Sequence, residues 1–336
     1  MPSSSVPLKI LDIAQKLSFY GLFIIFVAAL VGNTLNIFVF TKVKLFKGNR
    51  CTYYLTVESV IGIYVFIQTC ILQIFQLMYQ NDPANISPFF CKIKTTLNQS
   101  LRLLIDFIVC FEALDQYLST NPRLYFRQMS TLKLARYSII VASILCIMQT
   151  IPYIIFYNIV SPFGCIIINE GLKYYYSFVY YIFLNGFLPI SISTVFSLLA
   201  YRNVRHIIRR QIPIQRRKLD QQLTAMIFVR VIMFVAILLP YTFYRIYAVK
   251  NIAYPVNSLQ YAIVQLITTI VALIMICNNA LNFYIFAATS SRFRHQVKHL
   301  FMKVWWPSLR QWFNSTENRV HALNIIPNER STGLES

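Results

Sequence analysis

The chain reads as an all-α membrane protein: a seven-transmembrane helix bundle, N-terminus outside, with a short amphipathic cytoplasmic helix after it. Three observations carry that expectation. Hydrophobic residues make up 57% of the sequence and charged residues 12%, about half the charge of an ordinary soluble chain. Seven apolar runs each supply the ~20 residues that a 30 Å hydrocarbon core demands of a helix. Lys and Arg fall on alternate connecting loops with a strong bias to one side.

The opening stretch, 1–17, lacks a charged head leading into a short apolar core and a small-residue cleavage site, so it reads as an extracellular N-terminus and not as a signal peptide. The spans follow at 18–41, 53–79, 88–119, 135–157, 174–201, 222–249 and 257–287, a bundle over 18–288. Each is too long for a strand and too apolar for a loop. Lys42, Lys44, Lys47 and Arg50 after the first span, Arg123, Arg127, Lys133 and Arg136 after the third, and the basic stretch "YRNVRHIIRRQIPIQRRKLDQQ" after the fifth share one side. Lys9, Lys16, Lys92, Lys94, Lys173 and Lys250 lie on the other, which puts the N-terminus outside and the C-terminus inside. A cytoplasmic surface facing anionic membrane lipid accounts for the formal charge of +20 without a nucleic-acid partner.

After the seventh span, "SSRFRHQVKHLFMKVWW" alternates basic residues with Phe293, Val297, Leu300, Phe301, Val304, Trp305 and Trp306, so 290–306 is expected to be an interfacial helix. The polar tail, 307–336, is expected to be disordered, with Ser315, Thr316, Ser331, Thr332 and Ser336 as phosphosites. Of the seven cysteines, the topology puts only Cys91 and Cys165 on the oxidising side, so these two are expected to pair. Asn85, in "NIS" of the first outer loop, fits a glycosylation sequon, with Pro88 just after it. There is no Gly-rich phosphate loop, no His/Cys cluster and no nucleophile with a base beside it, so no enzyme, metal site or cofactor is expected.

Several short motifs then occur in order. The first span contains "GNTLN", with Gly32-Asn33, and Asp115 opens "DQY" 24 residues after Cys91, about 36 Å along a helix. Pro189 stands in "FLPIS", Phe234 and Pro240 in "FVAILLPY", and the seventh span ends "NNALNFYIFAATSSRFR". In these features, over about residues 25–300, the chain resembles the rhodopsin-like (class A) G-protein-coupled receptors, and "NFYIF" resembles invertebrate neuropeptide receptors of the FMRFamide-receptor type. The resemblance implies a plasma-membrane receptor that binds an extracellular ligand, a short neuropeptide, and activates a heterotrimeric G protein, with arrestin at the C-terminal tail. Two alternatives stay open: a chemosensory receptor for small molecules, and a seven-helix ligand-gated channel subunit. Insect odorant channels place the N-terminus inside, against the charge bias.

The departures from the family pattern are specific. In the triplet Asp115-Gln116-Tyr117, glutamine replaces arginine; Phe283 and Phe286 replace the proline and tyrosine of the motif that begins at Asn282; Leu238 replaces the tryptophan before Pro240. Ser59 replaces the sodium-binding Asp of the second span, with Glu58 about 100° round the helix. Asn33, Ser59, Asn278 and Asn282 are therefore read either as a neutral hydrogen-bond network or as residues satisfied separately by neighbouring helices.

The seventh span has no lysine for a retinal Schiff base, and Asn98 stands where amine receptors keep an Asp. Asn98, Arg102, Gln149, Tyr241, Arg245, Gln265 and Thr268 are expected to face an outer cavity that takes a peptide or small-molecule ligand. Asp106, one turn below Arg102, is read first as its neutralising partner. Arg245 either contacts a ligand carbonyl or carboxylate or snorkels to the interface.

In relatives the triplet's arginine holds the third span against an acid at the inner end of the sixth. Asp220 stands for that acid here, but Gln116 offers only a neutral amide. Glu112 and Arg230, two charges in what should be a dry helix interface, are each costly unpaired. They are expected to pair and restrain these spans, although straight-helix arithmetic leaves them about 10 Å apart in height. The alternative has Arg230 on backbone or water and Glu112 protonated.

Overall fold

The structure is a computed structural model that describes residues 5–44, 46, 48–79, 83–160, 164–207, 214–250 and 258–302. It divides into two units, Met1–Ser290 and Ser291–Ser336. The first contains α1 (Ser5–Lys42), α2 (Arg50–Tyr79), α3 (Pro88–Thr120) and α4 (Leu132–Phe156). Next comes α5, which starts as Glu170–Tyr174, is π-helical over Tyr175–Phe187 and finishes as Leu188–Ile207. Helix α6 (Ile214–Lys250) carries Pro240 within it. Helix α7 (Leu259–Ala280) continues after Leu281 as a second stretch, Asn282–Thr289.

Helix α1 begins about a dozen residues before the expected first span. Hydropathy marks where lipid begins, whereas helix formation needs only tolerated backbone, and Pro7 falls in the first turn, where its missing N–H costs nothing. Among the described residues, six helices are long and apolar enough to cross a membrane: all of these except α3. The 33 residues of α3 suffice in length, but Lys92, Lys94, Arg102, Asp106, Glu112 and Asp115 are spread along it. Packing supplies the reason. Helix α3 lies against α2, α4, α5 and α6 and buries Leu103 through Asp106 without interruption, so its polar groups face protein and not lipid.

Helix α1 packs on α2 and α7, α7 on α6, and α6 on α5, which returns to α3. Gly32 permits the close approach of α1 to the end of α7. A Cβ there would lie 3.3 Å from Phe283 Cβ and 3.4 Å from the Ala280 carbonyl. Tyr284 adds a hydrogen bond from its hydroxyl to the Ala28 carbonyl, 3.0 Å away.

The segment between α4 and α5 departs from the all-helical expectation. Residues Tyr157–Val160 (β1) and Gly164–Ile167 (β2) form an antiparallel pair, with Tyr157 opposite Ile167 and Ile159 opposite Cys165. Cys165 is bonded to Cys91, with 5.7 Å between Cα atoms, fixing the hairpin to the N-terminal part of α3. Asn85 accepts a hydrogen bond from the Cys165 N–H at 2.9 Å. Gly164, at φ +76°, presents no side chain to block that approach. Tyr157 and Ile167 of the hairpin form one apolar cluster with Ala84, Cys91, Tyr153 and Leu172.

In the second unit, the helix Ser291–Leu300 buries Phe293 and Leu300 and exposes Arg292, Arg294, Lys298 and His299. That is an amphipathic pattern. Val304, Trp305, Trp306 and the tail phosphosites lie outside the described residues.

Candidate functional site

Four elements of the bundle converge on one buried ionic cluster. The inward face of α6 runs Met226, Arg230, Phe234, Leu238 at four-residue spacing, and all four are buried. Arg230 is the one charge in that stripe. Its Nη1 donates to Glu112 Oε2 of α3, its Nη2 to Glu58 Oε1 of α2 at 2.5 Å, and its Nε to Asn282 Oδ1 at 3.0 Å. Asn282 closes the ring by donating from Nδ2 to Glu58 Oε1 at 3.0 Å. Arg230 and Glu58 are 3% exposed and Glu112 0%, so this is an ion cluster sealed from solvent. A guanidinium suits the position because its planar fork presents several donors in fixed directions, here spent on three helices besides its own.

The expected Glu112–Arg230 pair is therefore present, and the 10 Å height mismatch disappears. That arithmetic set Asp115 level with Asp220. In the structure Gln116 is level with Thr224 instead, accepting from its hydroxyl at 3.0 Å. From this rung Glu112 rises four residues and Arg230 six, about 6 Å and 9 Å, a gap that a long arginine spans. Asp220 lies on α6, with its side chain outside the described ones. The neutral network is corrected: its centre is Glu58, which the sequence pattern sets aside, and not Ser59. Asn282 belongs to it. Asn33 donates to the Ala29 carbonyl of its own helix at 2.9 Å, and no hydrogen bond joins Ser59 or Asn278 to the cluster among the described residues. The available signal was a carboxylate inside an apolar run, which requires a partner.

Near the C-terminal end of α3, Asp115 accepts from the Ser130 hydroxyl, while Arg50 donates to the Ser130 carbonyl and brings its Nε to 3.7 Å from Asp115. The polar cluster of "LDQYLST" thus fastens α3 to the start of α2 and to the loop before α4, with Gln116 turned to α6. Tyr117 packs against Phe196 of α5, ring centroids 5.5 Å apart. Phe283 and Phe286 are buried in the continuation of α7, Asn282–Thr289, and Phe286 meets Phe40 edge-on at 6.2 Å.

No protein-family model matches the chain, and no curated protein does. Its chemistry has to be read from the residues themselves.

In the other half of the bundle, a cavity of about 260 Å³ opens between α2, α3 and α7. Of the seven ligand candidates, only Asn98 and Arg102 line it; Asp106 and Asn279 do so as well. Arg102 and Asp106 attract each other electrostatically, as expected of neutralising partners, but form no direct ion pair or hydrogen bond among the described residues. Arg245 neither snorkels nor faces this cavity: its guanidinium lies 3.7 Å from the centroid of the Tyr181 ring, a cation–π contact. Tyr181 shares hydrogen bonds with Tyr176 at 2.7 Å and Gln99 at 3.3 Å. Tyr241 packs edge-on to Tyr181 at 6.4 Å. Gln149 accepts from the Tyr175 hydroxyl at 3.2 Å, and Thr268 bonds Tyr244. Gln265 is half-buried on α7 and does not line the cavity. Aromatic packing along the π-helical part of α5 thus occupies side chains that polarity alone would leave for a ligand.

Proposed function

We propose that the chain is a seven-helix receptor of the plasma membrane, similar to the rhodopsin-like G-protein-coupled receptors, that binds an extracellular ligand and activates a heterotrimeric G protein. The observation that carries this reading is the Glu58–Glu112–Arg230–Asn282 cluster. It joins α2, α3, α6 and α7 between a polar cavity in one half of the bundle and the basic loops at the other end. A buried ionic cluster is weak evidence for stability as such, because a well-packed apolar core of the same shape is often as stable. A bond that two helix arrangements make unequally is what a two-state signalling element needs. A ligand that favours parting of α3 from α6 then works against this cluster. The neuropeptide class rests on the resemblance of "NFYIF", and arrestin binding on the phosphosites of the tail.

Topology provides the first test. An epitope tag at the N-terminus is expected to be labelled on intact cells without permeabilisation, and a C-terminal tag only after it. Labelling of the C-terminal tag alone on intact cells would overturn the receptor reading and favour the channel one.

A further inference from the structure

Helix α3 contributes a cation and an anion to one cavity; they attract each other, but neither has a direct ion-pair or hydrogen-bond contact among the described residues. Asp106 is 2% exposed, and its Oδ2 has no hydrogen bond. Arg102 has neither an ion pair nor a hydrogen bond among the described residues. The two are one turn apart, the spacing at which opposite charges on a helix meet, but the order with the cation first is the less favourable one. Their side chains stay beyond the 4 Å of an ion pair. Asn98 and Asn279 add polar groups to the same wall, likewise unbonded among the described residues, while Phe66 and Met275 supply an apolar side.

We infer that this cavity binds a small zwitterion of the α-amino acid class, its carboxylate held by Arg102 and its ammonium by Asp106. The inference builds on the receptor reading and names the ligand chemistry of that receptor. Charge complementarity selects the class. A simple anion leaves Asp106 bare in a membrane interior, a simple cation leaves Arg102 bare, and a zwitterion satisfies both. Planar bidentate pairing suits a guanidinium to a carboxylate, and a buried carboxylate oxygen without a donor suits an ammonium. Size limits the class further: about 260 Å³ falls below the range of about 300–1,000 Å³ usual for drug-sized ligands. A free amino acid fits, whereas a short neuropeptide exceeds this volume, so the inference keeps the receptor reading and replaces the ligand class that the resemblance of "NFYIF" implies.

The test uses the full-length protein purified in detergent and a panel of the free L-amino acids. For each one that binds, the matching acid without its amine and the matching amine without its carboxylate are included. Binding is read by calorimetric titration and by the shift in melting temperature. At least one amino acid is expected to bind, with both singly charged analogues weaker by about tenfold or more. Arg102→Gln and Asp106→Asn are each expected to abolish the preference for the zwitterion, and Arg102→Lys to retain part of it. Should a variant fail to fold, the comparison of analogues on the unmodified protein still decides. No binding by any amino acid, or equal binding by a singly charged analogue, would overturn the inference. Neither result touches the receptor reading, which rests on topology and signalling.

Discussion

Arg230→Gln is expected to cost about 3–5 kcal/mol, enough to remove most of the protein from the cell surface. Arg230 is the only cation in its cluster, and its loss leaves Glu58 and Glu112 buried together with no counter-charge. Asn282 and the introduced amide supply hydrogen bonds and no charge. Each carboxylate already has one oxygen without a partner, Glu58 Oε2 and Glu112 Oε1, so the site has no reserve of donors. Surface labelling together with thermal unfolding of the purified protein measures the effect. Glu58 also changes what a charge exchange should do. Glu112→Arg with Arg230→Glu would restore a pair between α3 and α6, but the carboxylate placed at position 230 would then face Glu58. Recovery should be partial until Glu58→Gln is added, and the triple variant should exceed the double one.

Cys165→Ser and Cys91→Ser are expected to reduce surface expression equally, each costing about 2–5 kcal/mol. The bond spans 74 residues of chain, so its removal frees a large loop in the unfolded state. In the folded state it releases the β hairpin, whose Tyr157 and Ile167 belong to one apolar cluster with Tyr153 and Leu172. Non-reducing electrophoresis should show a faster-migrating oxidised form in the unmodified protein alone. Full surface expression of Cys165→Ser would contradict this.

What could be read from sequence divides along physical lines. Long apolar helices announce themselves, because burial in lipid demands both length and composition of each span separately. The disulfide followed because topology sorted seven cysteines into two compartments. The Glu112–Arg230 pair followed because isolated charges in a dry interface require each other. Glu58 is obscured in sequence because the family pattern points to its neighbour Ser59, while the cost of a buried charge is the stronger physical signal. Height along α6 is not legible in sequence: Asp220 looks like the rung opposite Asp115, and only packing shows Thr224 level with Gln116. The ligand candidates were selected by polarity. Tyrosines at 175, 176, 180 and 181 engage Gln149 and Arg245 or pack beside Tyr241, and a π-helical register, which sets where those rings point, has no simple sequence signature.

If the cluster restrains α3 against α6 until a ligand acts, as proposed, Glu112→Gln should loosen that restraint. This substitution removes the α3 carboxylate but leaves Arg230 paired with Glu58, so the remaining charges balance and the fold should survive. Measured as ligand-free G-protein nucleotide exchange at matched surface expression, Glu112→Gln is expected to raise basal activity about fivefold or more, the scale of a 1–3 kcal/mol coupling. Basal exchange equal to that of the unmodified protein, in a variant that still reaches the surface and still couples, would show that the cluster holds the fold together without holding a switch.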